Sequence, residues 1–379
     1  MEKEVVIAGY VRSPFTLANK GALKKMRPDE MAAQVVRGLV DKTGVQPDDI
    51  EDLIMGCAFP EAEQGFNVAR LVVLLAGLPI SIAGTTVNRF CGSSMQAIHM
   101  AAGNIQMGAG EVFICAGIES MSRVPMTGFN PMPSPLLLEK MPQAYIAMGL
   151  TAENVAREYQ ISRKKQEELA VISHQRATKA RDEGKFKDEI IAIQMGKELV
   201  SEDGCIRPET TAESIAELKP VFDQNGSVTA ATSSPLTDGA SATLVTTLDY
   251  AKKHKLPILA KIKSIAVAGC KPETMGLGPV FATKKALKRA GLEVKDLDVI
   301  ELNEAFSSQA LACIQDLGLD LKKINIDGGA LALGHPLGAT GARITGKAAQ
   351  LLKREGGKYA LATQCIGGGQ GIATILESI

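Results

Sequence analysis

One segment of this chain occurs twice. Gly44-Val45-Gln46-Pro47-Asp48-Asp49-Ile50-Glu51-Asp52-Leu53-Ile54 leads to Ala58-Phe59, and Gly291-Leu292-Glu293-Val294-Lys295-Asp296-Leu297-Asp298-Val299-Ile300 leads to Ala305-Phe306. In each copy the glycine stands fifteen residues before the phenylalanine, and the copies lie 247 positions apart (291 − 44). A helical pattern precedes each glycine. Pro28 and Asp29 open the first helix, which puts Met31, Val35, Leu39 and Val40 on one face and stops at Gly44. Thr283 is the expected cap of the second, which carries Ala286, Leu287 and Ala290 before Gly291. The same offset sets Asn88 against His335 and Cys91 against Gly338, and an offset of 250 (365 − 115) sets Cys115-Ala116-Gly117 against Cys365-Ile366-Gly367. Later helices are expected over 93–107 and 342–352, followed by strands over 112–116 and 359–363. Two duplicated α/β halves fit this pattern. The plainer alternative, that any α/β protein places glycine after its helices, is weakened by matched spacings at one offset.

From residue 118 to about 240 the repeat is interrupted. Prolines crowd Pro125 to Pro142 among Met121, Met126, Met132, Met141 and Met148, which reads as an excursion over an apolar binding surface or as core filling. A helix from about Ser162 to Glu183, ended by Gly184, follows. The 379 residues are too many for one small domain. Forty-two basic residues balance forty-two acidic ones, so no general attraction to nucleic acid or membrane is expected, and an anionic ligand needs a local basic group. The absence of Trp argues against base-stacking platforms. Seven scattered cysteines without a C-x-x-C pair fit neither a disulfide framework nor a zinc site and favour a reducing compartment. A strand-like run begins at Val5, no signal segment or spanning stretch is visible, and the last three residues are not a peroxisomal address, so cytoplasm is the expected location.

Four blocks carry chemistry: Asn88-Arg89-Phe90-Cys91-Gly92-Ser93-Ser94, Asn303-Glu304-Ala305-Phe306, Gly334-His335-Pro336 and Cys365-Ile366-Gly367-Gly368-Gly369. Cys91 stands before a helix rich in small residues, where the helix dipole is expected to favour its thiolate. The other reading, a small buried cysteine, fits Cys57, Cys115, Cys205, Cys270 and Cys313. Among four histidines, His174 and His254 lie in charged stretches and read as solvated, and His99 reads as a core histidine. His335, between glycine and proline, sits on a stiff loop that aims its ring. The glycines after Cys365 bring backbone N–H groups close to a ligand, as an oxyanion hole requires. A dinucleotide-binding turn is the competing reading, but too little chain follows it. A nucleophilic cysteine beside a second thiol suits a reaction in which a thiol both leaves and attacks.

Together these blocks resemble those of the thiolase family, the acetyl-CoA acyltransferases, from Val5 to the C-terminus. The resemblance implies a thiolase fold: an α/β architecture of two duplicated βαβαβ halves forming a five-layered α-β-α-β-α core, with an inserted loop domain. The expected boundaries are 1–117 plus 239–257 for the first half, 118–238 for the loop domain and 258–379 for the second half. It further implies that Cys91 is acylated, that His335 activates it, and that Cys365 exchanges protons with the acetyl-CoA enolate and with incoming CoA. Asn303 would hold a water that completes one oxyanion hole with His335, and the N–H groups of Cys91 and Gly367 would form the other. Arg207 matches a position against the CoA adenine, and Ser214 and Ser234 match positions along the pantetheine, with Pro235 standing where many relatives have glycine. CoA and acyl-CoA are then substrates, with no permanent cofactor and no metal. A homodimer or homotetramer is expected, with a β-oxidation multienzyme as a possible partner.

Ala147 stands where biosynthetic acetoacetyl-CoA thiolases commonly carry histidine, which opens room for a longer acyl chain. Arg207-Pro208-Glu209-Thr210-Thr211 and Cys91-Gly92-Ser93-Ser94-Met95-Gln96 also resemble degradative members, so 3-ketoacyl-CoA cleavage in fatty-acid β-oxidation is expected. The alternatives are a biosynthetic acetoacetyl-CoA thiolase, a ketosynthase-type condensing enzyme and an inactive acyl-CoA-binding scaffold. Ketosynthases usually pair the nucleophile with two histidines, whereas Asn303 and Cys365 occupy those stations here. A scaffold has no need for all four polar groups.

Overall fold

A computed structural model describes residues 3–379. The first half runs β1 (Val5–Arg12), β2 (Thr16–Leu17), α1 (Pro28–Thr43), β3 (Asp52–Gly56), α2 (Val68–Leu75), β4 (Ala83–Val87), α3 (Ser93–Gln106) and β5 (Val112–Ser120). The interruption holds α4 (Pro135–Lys140), α5 (Met148–Glu158), α6 (Arg163–Asp182), the small hairpin β6 (Ile193–Met195) and β7 (Glu198–Val200), and α7 (Ala212–Ala216). Then β8 (Thr237–Thr247) and α8 (Leu248–Lys253) return to the first half. The second half is β9 (Ala260–Gly269), α9 (Gly278–Ala290), β10 (Val299–Leu302), α10 (Ser307–Leu317), α11 (Ala330–Leu333), α12 (Leu337–Glu355), β11 (Tyr359–Ile366) and β12 (Gln370–Glu377).

The sheet makes the repeat explicit. The first half orders its strands β1-β8-β5-β3-β4, and the second orders β9-β12-β11-β10 with a single bridge from Ile300 to Ile324 in place of a fifth strand. In both, the outer pairs are parallel and the inner ones antiparallel. The equivalent edges β1 and β9 meet through Val6–Lys261 and Ile7–Ala260, so one continuous path joins the two halves. The excursion between β5 and β8 stands where the second half has only the turn between β11 and β12.

Helices α3 and α12 pack on each other between the two halves of the sheet, and α1, α2, α9 and α10 cover the outside. Five layers result. Helix α12 is buried along nearly its whole length, and a Cβ at Gly341 would overlap the Met95 backbone of α3, so glycine there permits the close crossing. Helices α1 and α9 end at Gly44 (φ 70°) and Gly291 (φ 70°), as the repeat implied. The expected cap at Thr283 is wrong: α9 starts at Gly278 with Pro279 in its first turn, and the buried Thr283 hydroxyl donates to Thr363 Oγ1 at 3.3 Å.

A chain of buried ion pairs ties the layers together. Arg12 on β1 reaches Glu189 (2.8 Å) and, with both ends of its fork, Asp203 (2.6 and 2.8 Å), both in the excursion. Lys347 on α12 meets the same Glu189 at 2.8 Å and Asp327 at 2.8 Å, and Asp327 also accepts from Arg354. Removing Arg12 leaves the buried Asp203 carboxylate without a cation, at a cost of about 3–5 kcal/mol.

Candidate active site

The four blocks converge at the carboxyl ends of the parallel strands, where the central helices begin. Cys91 lies in the turn between β4 and α3, Asn303 just past β10, His335 before α12 and Cys365 near the end of β11. Such an edge is where open α/β sheets bind their ligands. Cys91 keeps 8 % exposure and Cys365 none, so the first thiol is the one a ligand can reach.

The turn holding Cys91 is strained. Phe90 adopts φ 43°, a left-handed conformation disfavoured for a bulky side chain, and its N–H donates to Asn88 Oδ1 at 2.8 Å. The Phe90 ring packs on Phe59, with centroids 5.9 Å apart. Gln364 Nε2 donates to the Cys91 carbonyl. The sulfur shares an apolar cluster with Ala58, Met121 and Leu337. Burial pushes the Cys91 thiol up to about 11, while the nearby backbone N–H groups of Gly367 and of Cys91 itself pull the other way. The helix-dipole expectation of a ready thiolate is therefore corrected: desolvation outweighs the dipole, and Cys91 rests as a thiol. Its activation needs a base.

His335 supplies a fixed ring. The His335 backbone N–H donates to Thr237 Oγ1 at 3.0 Å, and Gly334 reaches φ 98° where a Cβ would overlap that threonine. The Thr340 hydroxyl donates to the Pro336 carbonyl at 3.1 Å and so accepts from His335 Nδ1–H at 2.6 Å. That leaves Nε2 as the acceptor nitrogen, facing the Asn303 Nδ2 donor across a long 3.4 Å contact. Burial, then the Arg343 charge, lower the imidazole to about 3, so it rests neutral. Asn303 is fully buried and its Oδ1 has no partner. An unpaired buried acceptor beside His335 is a site for an ordered water.

Cys365 sits against Met275, Phe306, Ala152 and Val228, with Met148 at the margin. Burial raises its thiol well above the ordinary value, and Cys91 is the next largest contributor, which puts the two sulfurs within electrostatic reach. Gly367 is buried, and a Cβ there would stand 3.5 Å from Met148 Sδ.

The three expected CoA contacts lie apart from this centre. Ser234 is nearest, its N–H donating to the Ala305 carbonyl at 3.0 Å. Arg207 is exposed, on a segment held by its N–H to His174 Nδ1 at 3.1 Å, and Ser214 is exposed in the capping box of α7. His174, read as solvated, is buried; its helix turns that face inward although its neighbours are charged, and its pKa falls to about 4. His99 is the core histidine expected, bonded to Thr374 at 2.8 Å. Sequence reasoning passed over Gln364, Thr340 and Glu119. Only Glu119 left a signal there, as a carboxylate directly after the apolar run Val112–Ile118.

Comparison with known families agrees with this geometry. The thiolase N-terminal domain family matches residues 5–249 and the thiolase C-terminal domain family matches 256–378. The chain belongs to the thiolase family. A 3-ketoacyl-CoA thiolase of Bacillus subtilis is 46% identical over 388 residues, covering 99% of both chains. Among solved structures, human mitochondrial 3-ketoacyl-CoA thiolase in complex with CoA superposes with a TM-score of 0.91 at 38% identity, over 100% of this chain and 98% of that one. The Bacillus anthracis acetyl-CoA acetyltransferase gives the same TM-score, 0.91, at 38% identity over 100% and 99%. This thiolase is an acyltransferase by membership. Since two differently named enzymes match its fold equally well, the backbone alone does not choose between their substrates.

Proposed function

We propose that this thiolase cleaves 3-ketoacyl-CoA with CoA, in the degradative direction of fatty-acid β-oxidation, through an acyl group on Cys91. The observation that carries this is the convergence at one sheet edge of a partly exposed thiol, Cys91, with His335 held by Thr340 and Asn303 and with a second, fully buried thiol, Cys365. In the first half-reaction Cys91 passes its proton to His335 Nε2 and its sulfur bonds to the 3-keto carbon. The oxyanion forms at the Cys91 and Gly367 N–H groups. The bond between carbons 2 and 3 then breaks, and its electron pair goes to the acetyl-CoA enolate. The enolate oxygen is held by protonated His335 and by the water on Asn303, and Cys365 protonates carbon 2. In the second half-reaction the Cys365 thiolate takes the proton of CoA, the CoA sulfur attacks the acyl group, and Cys91 leaves and recovers its proton from His335. Ser234, beside Ala305, supports a pantetheine path along the Asn303 loop, with Arg207 and Ser214 further out.

Ala147 supports the longer-chain assignment. It is exposed at the start of α5, next to the Met148 that borders Gly367, and its side chain is a single methyl. CoA-dependent cleavage measured from acetoacetyl-CoA to 3-ketohexadecanoyl-CoA is expected to rise with chain length. Activity confined to acetoacetyl-CoA would move the protein to the biosynthetic group.

One edge of the sheet supports the expected oligomer. Strand β4 is a free edge of the sheet, and beside it Phe66, Ile80, Leu71, Leu74 and Leu75 are exposed, Phe66 to 94%. An open edge flanked by apolar side chains fits a second copy of the chain across a two-fold axis. Sedimentation velocity is expected to give a dimer or tetramer, with Leu75→Glu shifting it to monomer; a monomeric wild type sinks this reading. Seven free cysteines support a reducing compartment such as the cytoplasm, and no helix among the described residues is long and apolar enough to cross a membrane.

A further inference from the structure

Glu119, the penultimate residue of β5, is buried and surrounded by donors. Its carboxylate accepts from the N–H groups of Ala58 (2.8 Å), Phe59 (3.3 Å) and Gly338 (2.9 Å), from Gln64 Nε2 (2.9 Å) and from Cys57 Sγ (3.8 Å). Burial raises the Glu119 carboxyl, and its four N–H partners, all of them donors, work against that by favouring the ionised form.

Each bond leads to one of the two loops that matter. Ala58 and Phe59 form the loop after β3, and the Ala58 carbonyl accepts from Asn88 Nδ2 at 3.0 Å, whose Oδ1 holds the N–H of strained Phe90 beside Cys91. Gly338 lies in the first turn of α12, the turn that places Thr340 against His335 Nδ1. One carboxylate thus joins the nucleophile's turn in the first half to the base's loop in the second. Its charge also opposes a negative sulfur at Cys91.

We propose that Glu119 is a positioning residue for acyl transfer: it locks the Cys91 turn to the His335 loop and sets a carboxylate facing the Cys91 sulfur. This rests on Cys91 and His335 acting as nucleophile and base. At rest both are then neutral, and the thiolate forms only when a carbonyl is in place to take it. The ionisable groups facing Cys91 are Glu119 from β5, Cys365 from β11 and, in the proposed mechanism, His335; Glu119 itself faces Cys57 and Cys91.

The test is the pH dependence of Cys91 alkylation by iodoacetamide, followed by mass spectrometry, alongside steady-state cleavage. Glu119→Gln removes the charge, so the alkylation midpoint is expected to move to lower pH. Its kcat is expected to fall between about ten- and a hundredfold, with KM changed less than about threefold. Glu119→Asp keeps the charge on a shorter stem: the midpoint returns to the wild-type value while kcat stays low. A residue that only supported the fold would lower thermal stability and leave the midpoint in place, and that result, or wild-type kcat in Glu119→Gln, overturns the proposal. Should Glu119→Gln not fold, Asn88→Ala decides, because exposed Asn88 carries the link to Phe90. Its kcat is expected to fall about tenfold with an unmoved midpoint, and wild-type kcat there refutes the lock. Turnover by Cys91→Ala would instead overturn the mechanism on which the proposal rests.

Discussion

Cys91→Ala, mixed with 3-ketoacyl-CoA in the absence of CoA, is expected to release no acetyl-CoA and to acquire no acyl mass. The wild type under the same conditions should release one acetyl-CoA per chain and gain the shortened acyl group, because the first half-reaction needs no free CoA. Steady-state cleavage by the variant is expected to fall by at least about 10⁴-fold, as losing a nucleophile does elsewhere. The substitution removes only a small group from a site where the sulfur keeps 8 % exposure, so the fold should hold and thermal unfolding should change little. An acyl adduct on Cys91→Ala would show that another group, most plainly Cys365, is the acceptor.

Cys365→Ser separates proton transfer from nucleophilic attack. Burial and the neighbouring Cys91 hold the Cys365 thiol protonated, the form that can deliver a proton to an enolate carbon. The thiolate it becomes, made more basic by burial, can then take the proton of the incoming CoA thiol. A serine hydroxyl fits the space but is a far weaker acid, and its anion is too costly to form in an apolar pocket. Cleavage is expected to fall by about 10²–10⁴-fold. Release of acetyl-CoA without CoA should slow in parallel, while iodoacetamide still labels Cys91. A normal release of acetyl-CoA followed by a stalled acyl-enzyme would confine Cys365 to the second half-reaction.

How much of this was legible in the sequence depended on whether the signal was local. Helix stops at Gly44 and Gly291 follow from backbone freedom at single residues, and the fifteen-residue spacing aligned the halves without reference to contacts. The blocks around Cys91, His335 and Cys365 were visible because glycine, proline and small residues crowd them, and the Asn303 block because it follows an apolar, strand-like run. Thr283 misled because a cap motif carries no information about whether the helix has already begun at Pro279. His174 misled because charged neighbours reveal one helix face and not the one turned inward. The resting state of Cys91 was misjudged because the dipole is a property of the adjacent helix, whereas desolvation depends on Ala58, Met121 and Leu337, which arrive from three other places in the chain. Glu119 left only a carboxylate after an apolar run, with nothing local to say what it holds: its partners stand 61 and 219 residues away.

The interruption between β5 and β8 has a consequence for how the chain reaches this state. In the second half β11 and β12 are neighbours in sequence, so their antiparallel ladder can close as a hairpin as soon as both exist. In the first half β5 must wait for β8, which begins only at Thr237, after the whole excursion from Met121 onward. During synthesis the buried edge of β5 would therefore stay unpaired while α4, α5 and α6 emerge, exposing an apolar strand to other chains. Arg12 faces a longer delay, since Glu189 and Asp203 follow it by 177 and 191 residues and Lys347 comes later still. The half that carries the nucleophile is thus the slower to close and the one with most to gain from a chaperone.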